Sequence, residues 1–186
     1  INKSLHAIDR QKELLASSLG YSPTSDISYG ISKVKFLEPA MALPTPYVVL
    51  VQNASWPTKQ WPVACWKDLV KHLDDHGVNV LLPSGNKEEL LRPKEIASVS
   101  EKATALEILP LNEVAYIIDN ADYCICSDTG LAHLSAVVNT PSLTLYGPTD
   151  TNLIGTKGNN QSHSIGDNGD INNISVEEVI NKLPIV

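Results

Sequence analysis

Short runs of four or five apolar residues alternate along this chain with stretches in which apolar side chains recur every three or four positions. The runs Tyr47 to Val51, Val78 to Leu82, Ala105 to Leu109, Tyr123 to Cys126 and Ser142 to Tyr146 predict five short, largely apolar strands, which taken together argue for a sheet covered on both faces. Between them the spacing predicts helices. Pro62 to His76 carries Val63, Trp66, Leu69, Val70 and Leu73 on one side, with Pro62 suited to the first turn and Gly77 to the exit. A helix from about Lys87 to Ser98 follows, interrupted by Pro93, and another from Asn112 to Asn120 with Val114, Ile117 and Ile118. The stretch Gly130 to Val138 is the last of the series, with Leu131, Leu134, Val137 and Val138 on its apolar side. Strands separated by helices predict an α/β fold, a Rossmann-like parallel sheet with helices on both faces.

The flanks read differently. Leu5, Ile8, Leu15 and Leu19 form one helical stripe ending at Gly20, and Tyr21 to Pro46 holds four prolines and no period. Residues 1–46 therefore read as a linker helix and connector, and 47–186 as the Rossmann-like domain. Within that domain Leu153 to Asp170 reads as a Gly- and Asn-rich loop with a short strand at His163 to Ile165. Ser175 to Leu183 reads as a closing helix, capped by Ser175 with Glu178 three residues on. The chain opens on Ile1 and its single methionine is Met41, which predicts a piece of a longer protein.

Composition narrows the function. The chain has 186 residues, 42% of them apolar, with 14 Lys plus Arg against 21 Asp plus Glu and a net charge of −7. That excludes a disordered or fibrous chain and argues against nucleic acid as a partner, while leaving room for one local anion site. Cys124 and Cys126 lie two apart in an apolar run and, as a strand, share a face as small buried hydrophobes; with Cys65 they form an odd set suited to a reducing compartment. The Gly-Lys-Ser/Thr phosphate loop, the three-glycine dinucleotide fingerprint and a serine between flanking glycines are all missing. His72 and His76 are four apart beside Asp75, on what reads as a solvated helix face rather than a zinc site. No apolar run approaches membrane-spanning length.

In an open parallel sheet the ligand loops leave the carboxyl ends of the strands, here at Gln52, Pro83, Leu109, Ser127 and Gly147. Ser127 to His133 runs from a strand into a helix. Gly130 permits close approach, the amides of Thr129, Gly130 and Leu131 point from the helix's positive end, and His133 lies one turn in. The plain alternative is that Asp128 caps the helix and His133 is a satisfied histidine. The loop Asn53 to Pro62 offers Lys59 as a point charge and Ser55 or Thr58 as donors, and the alternative there is a solvated turn with Trp61 packed beneath it. Tyr146 to Asp150 adds Thr149. Three polar loops on one sheet edge predict a phosphate or diphosphate seat.

Lys59 before Trp61-Pro62, then Ser127 to His133, then Leu145 to Asp150 with Leu153, Ile154 and Gly155, together resemble the glycosyltransferase family that contains the bacterial lipopolysaccharide heptosyltransferases. The resemblance covers nearly the whole chain. It implies an inverting, metal-independent transferase of the two-domain GT-B type that needs no cofactor. The donor would be ADP-heptose, leaving as ADP, and the acceptor a Kdo-bearing lipid A core precursor at the cytoplasmic face of the bacterial inner membrane, where the full enzyme associates peripherally. By matching position, Ser55 and Lys59 would hold the diphosphate, Asp128, Thr129 and Gly130 the phosphates and sugar, and His133 the neighbouring sugar or phosphate. Glu88 matches the acidic residue expected at the ribose, and Leu109 with Leu111 the surroundings of adenine. The resemblance also places the catalytic base in an N-terminal acceptor domain absent from this chain. Two departures are visible: Ala54-Ser55 stands where close members have two hydroxyl residues, and the loop before Asn112 is shorter. A family member with a different acceptor, and a non-catalytic nucleotide-binding module, remain open.

Overall fold

The structure is a computed structural model in which residues 2–31 and 36–184 are described. Its first element is helix α1 (Ala7–Leu19), capped by the His6 imidazole, which accepts from the Ile8 amide. Six strands then alternate with helices: β1 (Tyr47–Val51), α2 (Val63–Asp75), β2 (Asn79–Leu82), α3 (Leu91–Ala97), β3 (Ala103–Ala105), α4 (Leu111–Asp119), β4 (Tyr123–Ser127), α5 (Gly130–Val137), β5 (Ser142–Tyr146), α6 (Thr151–Ile154), β6 (Gln161–Ile165) and α7 (Val176–Ile180). The strands form one sheet in the order β3-β2-β1-β4-β5-β6, and every pairing is parallel.

Alternation along β1 explains why its whole sequence is apolar. Val48 and Leu50 join Val80, Leu82, Trp66 and Leu69 on one face, under α2, α3 and α7. Val49 and Val51 join Leu81, Cys124 and Cys126 on the other, under α4 and α5. Cys124 and Cys126 do share a buried face, and burial pushes both thiols well above their ordinary range, so neither is a ready nucleophile.

The structure departs from the sequence pattern in four places. β3 covers Ala103–Ala105 rather than Ala105 to Leu109, because its partner β2 ends at Leu82, whose carbonyl accepts the last bond between them from the Leu106 amide at 3.0 Å. The expected helix over 87–98 is a 3₁₀ turn, Glu88–Leu90, followed by α3. Pro93 sits in the first turn of α3, where a missing amide leaves no hydrogen bond unmade. β6 extends over five residues although Gln161, Ser162, His163 and Ser164 carry no apolar signal. α6 lies in what the composition presents as loop, started by the Asp150 carboxylate on the Asn152 amide.

The strand order places the carboxyl ends of β1 and β4 side by side, with their connections leaving toward opposite edges. This divergence opens a crevice at the top of the sheet. No helix among the described residues is long and apolar enough to cross a membrane.

Candidate functional site

The crevice gathers the three loops singled out from sequence onto one carboxylate. Lys59, after β1, places Nζ 2.6 Å from Oδ2 of Asp128, after β4. Thr149, after β5, donates its hydroxyl proton to the same oxygen at 2.5 Å. The Asp128 side chain is only 8% exposed and Lys59 25%, so this pair is sheltered enough to fix both loops.

Local sequence holds the loop after β1 in place. Pro57–Lys59 forms a 3₁₀ turn closed by the Lys59 amide on the Trp56 carbonyl at 2.9 Å, and Gln60 Nε2 donates back to the Ala54 carbonyl at 2.7 Å. The loop ends on Trp61, fully buried, whose indole N–H reaches the Ile174 carbonyl at 2.8 Å while its own carbonyl accepts from the Arg92 guanidinium. The β5 loop can approach only because residue 147 is glycine. A Cβ there would sit 2.5 Å from the Thr58 carbonyl oxygen, inside any permitted contact.

Thr129, not Asp128, caps α5. Its hydroxyl accepts from the Leu131 amide at 3.3 Å, and its carbonyl from the Ala132 amide at 3.1 Å, which leaves Asp128 for Lys59 and Thr149. Gly130 opens the helix without positive φ, and a Cβ there would meet nothing within 4 Å. Neither backbone strain nor protein packing asks for glycine at that position, which leaves clearance for a ligand at the positive helix end.

Beside this end lies a cavity of about 550 Å³, lined on its polar side by Asn53, Ser55, Glu89, Thr129, Gly130 and His133. Leu111, Leu131, Leu134, Val137 and Ile31 line its apolar side. The size suits a nucleotide-scale ligand. His133 is half-buried. Burial depresses its pKa, the Asp128 carboxylate opposes that, and His6 and Lys59 add to the depression.

Two sequence expectations need correction. Glu88 is exposed and does not line the cavity; its neighbour Glu89 does, because the 3₁₀ turn points successive side chains about 120° apart. Glu89 Oε2 accepts from the Gly85 amide at 3.0 Å, and Oε1 from Asn86 Nδ2 at 2.9 Å. Leu109 lines a separate cavity of about 350 Å³ with Met41 and Leu106, whereas Leu111, the first residue of α4, lines the main one. Asn53 and Ile31 carry too little local signal to stand out in the sequence, although Asn53 lies only two residues past the end of β1.

His72, His133 and His163 all have pKa values lowered chiefly by burial. Each binds its proton more weakly in the folded chain than in the unfolded one, whose histidines titrate near 6.5. Stability is therefore unaffected by these groups above about pH 6.5 and falls as pH drops below that value through the depressed folded pKa values. Thermal unfolding followed from pH 7.5 to 5.5 should show a falling midpoint within this window. The carboxylates with lowered pKa, such as Asp9, act only in more acidic solution.

A profile of glycosyltransferase family 9 (heptosyltransferase) matches residues 1–183. Lipopolysaccharide heptosyltransferase 1 of Salmonella typhimurium is 36% identical over 98% of this chain and 58% of its own length. The structure of E. coli heptosyltransferase WaaC with ADP superposes with a TM-score of 0.88 at 33% identity, over 97% of this chain and 57% of that one. The same enzyme with ADP-2-deoxy-2-fluoro heptose gives 0.84 at 31% identity, over 97% of this chain and 56% of that one. E. coli ADP-heptose lps heptosyltransferase II gives 0.65 at 19% identity over 93% of this chain and 50% of its own, a likeness of fold. The chain thus spans little more than half the length of the relatives it matches.

Proposed function

The chain belongs to glycosyltransferase family 9, and from that premise we propose that it is the donor-binding part of an enzyme that transfers heptose from ADP-heptose to the Kdo-lipid A precursor of the lipopolysaccharide inner core. The observation that carries this reading is the convergence of Lys59, Asp128 and Thr149 beside the uncrowded Gly130 helix end, at the one place where the sheet topology opens a crevice.

The residues divide the work as follows. Lys59 and the helix end carry positive charge to the diphosphate, Ser55 adds a hydroxyl, and Glu89 accepts from the ribose hydroxyls. When the diphosphate takes Lys59, Asp128 is released toward the hydroxyls of the sugar. In the inverting transfer, the acceptor oxygen bonds to the anomeric carbon as the anomeric bond to the diphosphate oxygen breaks. The electron pair leaves on ADP, where Lys59 and the α5 amides stabilise the growing charge. The acceptor's proton passes to a base, which we place outside these residues. Glu89 lines the cavity and Asp128 stands next to its wall at Thr129, and both carboxylates are already engaged by neighbouring donors. The net charge of −7 supports giving the anionic lipid to another part of the enzyme, with this part on the cytoplasmic side. A first-heptose acceptor is favoured over the second by the stronger match to heptosyltransferase 1 in sequence and to WaaC in structure.

Titration calorimetry with ADP at low salt tests the reading. The wild-type chain should bind with measurable heat, and Gly130→Ala should weaken ADP about tenfold or more with the unfolding midpoint unchanged or raised, since alanine relieves a helix-propensity cost of up to about 1 kcal/mol. No heat from the wild type, or an unaltered affinity in the variant, would count against it.

A further inference from the structure

Two donors meet on Oδ2 of Asp128, and the chain holds them in opposite ways. Lys59 reaches that oxygen on a flexible four-carbon stem with 25% of its side chain exposed. Thr149 reaches it at 2.5 Å through one stiff bond, since branching at Cβ restricts χ1. The backbone beneath Thr149 is pinned on both sides. Gly147 lies against the Thr58 carbonyl and Ile171, and Pro148 has a fixed φ and packs on Gly169. On the other side the Asp150 carboxylate accepts from the Asn152 amide and starts α6. The ammonium can swing away from Asp128, and the hydroxyl stays.

An arriving diphosphate competes for the lysine, because it carries more charge than a single carboxylate. It does not draw off Thr149, whose one hydroxyl proton already goes to Asp128. That leaves the threonine as the partner of a carboxylate with only 8% of its side chain exposed. Without it the group would turn about Cβ–Cγ toward the nearest donor, since χ2 of aspartate is broad and a sheltered charge needs a partner. With it, Oδ2 stays occupied. Both contacts from the described residues fall on Oδ2, so Oδ1 is the acceptor left for a sugar hydroxyl, which has a proton to give.

We propose that Thr149 is the positioning residue for the sugar end of the donor site: it keeps Asp128 in one orientation after Lys59 has moved to the diphosphate, and so sets how the carboxylate meets the sugar. The inference rests on the donor reading above and deepens it by naming what holds Asp128. Thr149 touches neither sugar nor phosphate and acts through the carboxylate alone. It therefore serves affinity for the sugar and not for the bare nucleoside diphosphate. Gly147 belongs to the same device, because a side chain there would strike the Thr58 carbonyl and push the β5 loop, with Thr149, away from Asp128.

Calorimetry on the full 186-residue chain, with ADP and separately with ADP-heptose, reads the ratio of the two Kd values. Thr149→Val removes the hydroxyl at nearly constant volume and should weaken ADP-heptose about tenfold while ADP stays within about twofold. Thr149→Ser restores the donor and should recover most of the loss. In the Asp128→Asn background Thr149→Val should weaken ADP-heptose no further, since the two residues act as one unit. An unaltered ratio in Thr149→Val overturns the proposal. So does parallel weakening of both ligands, which marks a general loosening of the loop, and so does a selective loss that serine fails to repair, which assigns the effect to shape. A full further loss in the Asp128→Asn background overturns it as well, because Thr149 would then touch the donor directly. Each of these outcomes leaves the donor reading standing so long as the wild-type chain binds ADP; a wild-type chain that binds neither ligand overturns that reading, and this inference with it.

Discussion

Lys59→Ala should raise the Kd for ADP by about 100-fold, a loss of about 2.8 kcal/mol at about 1.4 kcal/mol per decade. Two effects add. The charge-assisted contact to the diphosphate disappears, and Asp128, only 8% exposed, keeps its negative charge beside the phosphates with no cation between them. Lys59→Arg should recover part of the affinity, because it restores the charge without the compact ammonium that fits beside Asp128. Raising salt should weaken wild-type binding and leave the residual binding of Lys59→Ala nearly unaffected. Calorimetry at two ionic strengths checks both statements, and a Kd for Lys59→Ala within about threefold of wild type would remove the lysine from the seat.

The largest stability effect should come from Trp61→Ala, a loss of about 3 to 5 kcal/mol in unfolding free energy. Trp61 is fully buried, sets its ring edge-on to Trp66 at 5.0 Å and 85°, and donates its indole proton to the Ile174 carbonyl. Truncation leaves a cavity in the core and an unpaired carbonyl beside it. Because Trp61 ends the Lys59 loop and meets both α3, through Arg92, and the segment before α7, the loop should loosen and ADP binding weaken as well. Trp61→Phe separates the contributions: it keeps most of the volume and loses only the hydrogen bond, for about 1 to 2 kcal/mol. Urea unfolding of the three proteins supplies the measurement. A loss below about 1 kcal/mol for Trp61→Ala would mean that the loop is anchored by its turn alone.

The chain already spelled out the α/β architecture, because strands buried on both faces must be apolar throughout while the helices beside them need only one apolar stripe. β1 and β4 were therefore plain to read, and β5 was carried by Leu143, Leu145 and Tyr146 although Ser142 and Thr144 are buried as well. β6 was legible only over His163 to Ile165, since Gln161 and Ser162 are polar and their pairing with β5 comes from backbone hydrogen bonds that no side-chain pattern reports. The boundaries of β3 and of the helix containing Pro93 shifted for a similar reason, being set by where the neighbouring strand runs out and by which helical position the proline occupies.

At the candidate site, residue types near strand ends single out Lys59, Asp128, Thr129, Gly130 and Thr149, and the fold brings the loops that carry them together. The polar residues of these loops are legible from local sequence, because turn and helix-cap chemistry favours Asp, Thr, Ser and Pro where strands end and helices begin. The three-dimensional arrangement brings Lys59 and Thr149 onto one oxygen of Asp128, gives Thr129 the capping role, and turns Glu89 to the cavity while Glu88 faces solvent. The same arrangement requires glycine at 147 for the sake of Thr58, nearly ninety positions earlier, and puts Ile31 of the connector in the cavity lining. These are contacts between segments far apart in sequence, or a choice between adjacent residues on a turn, and they are fixed by strand order and helix rotation rather than by local preference.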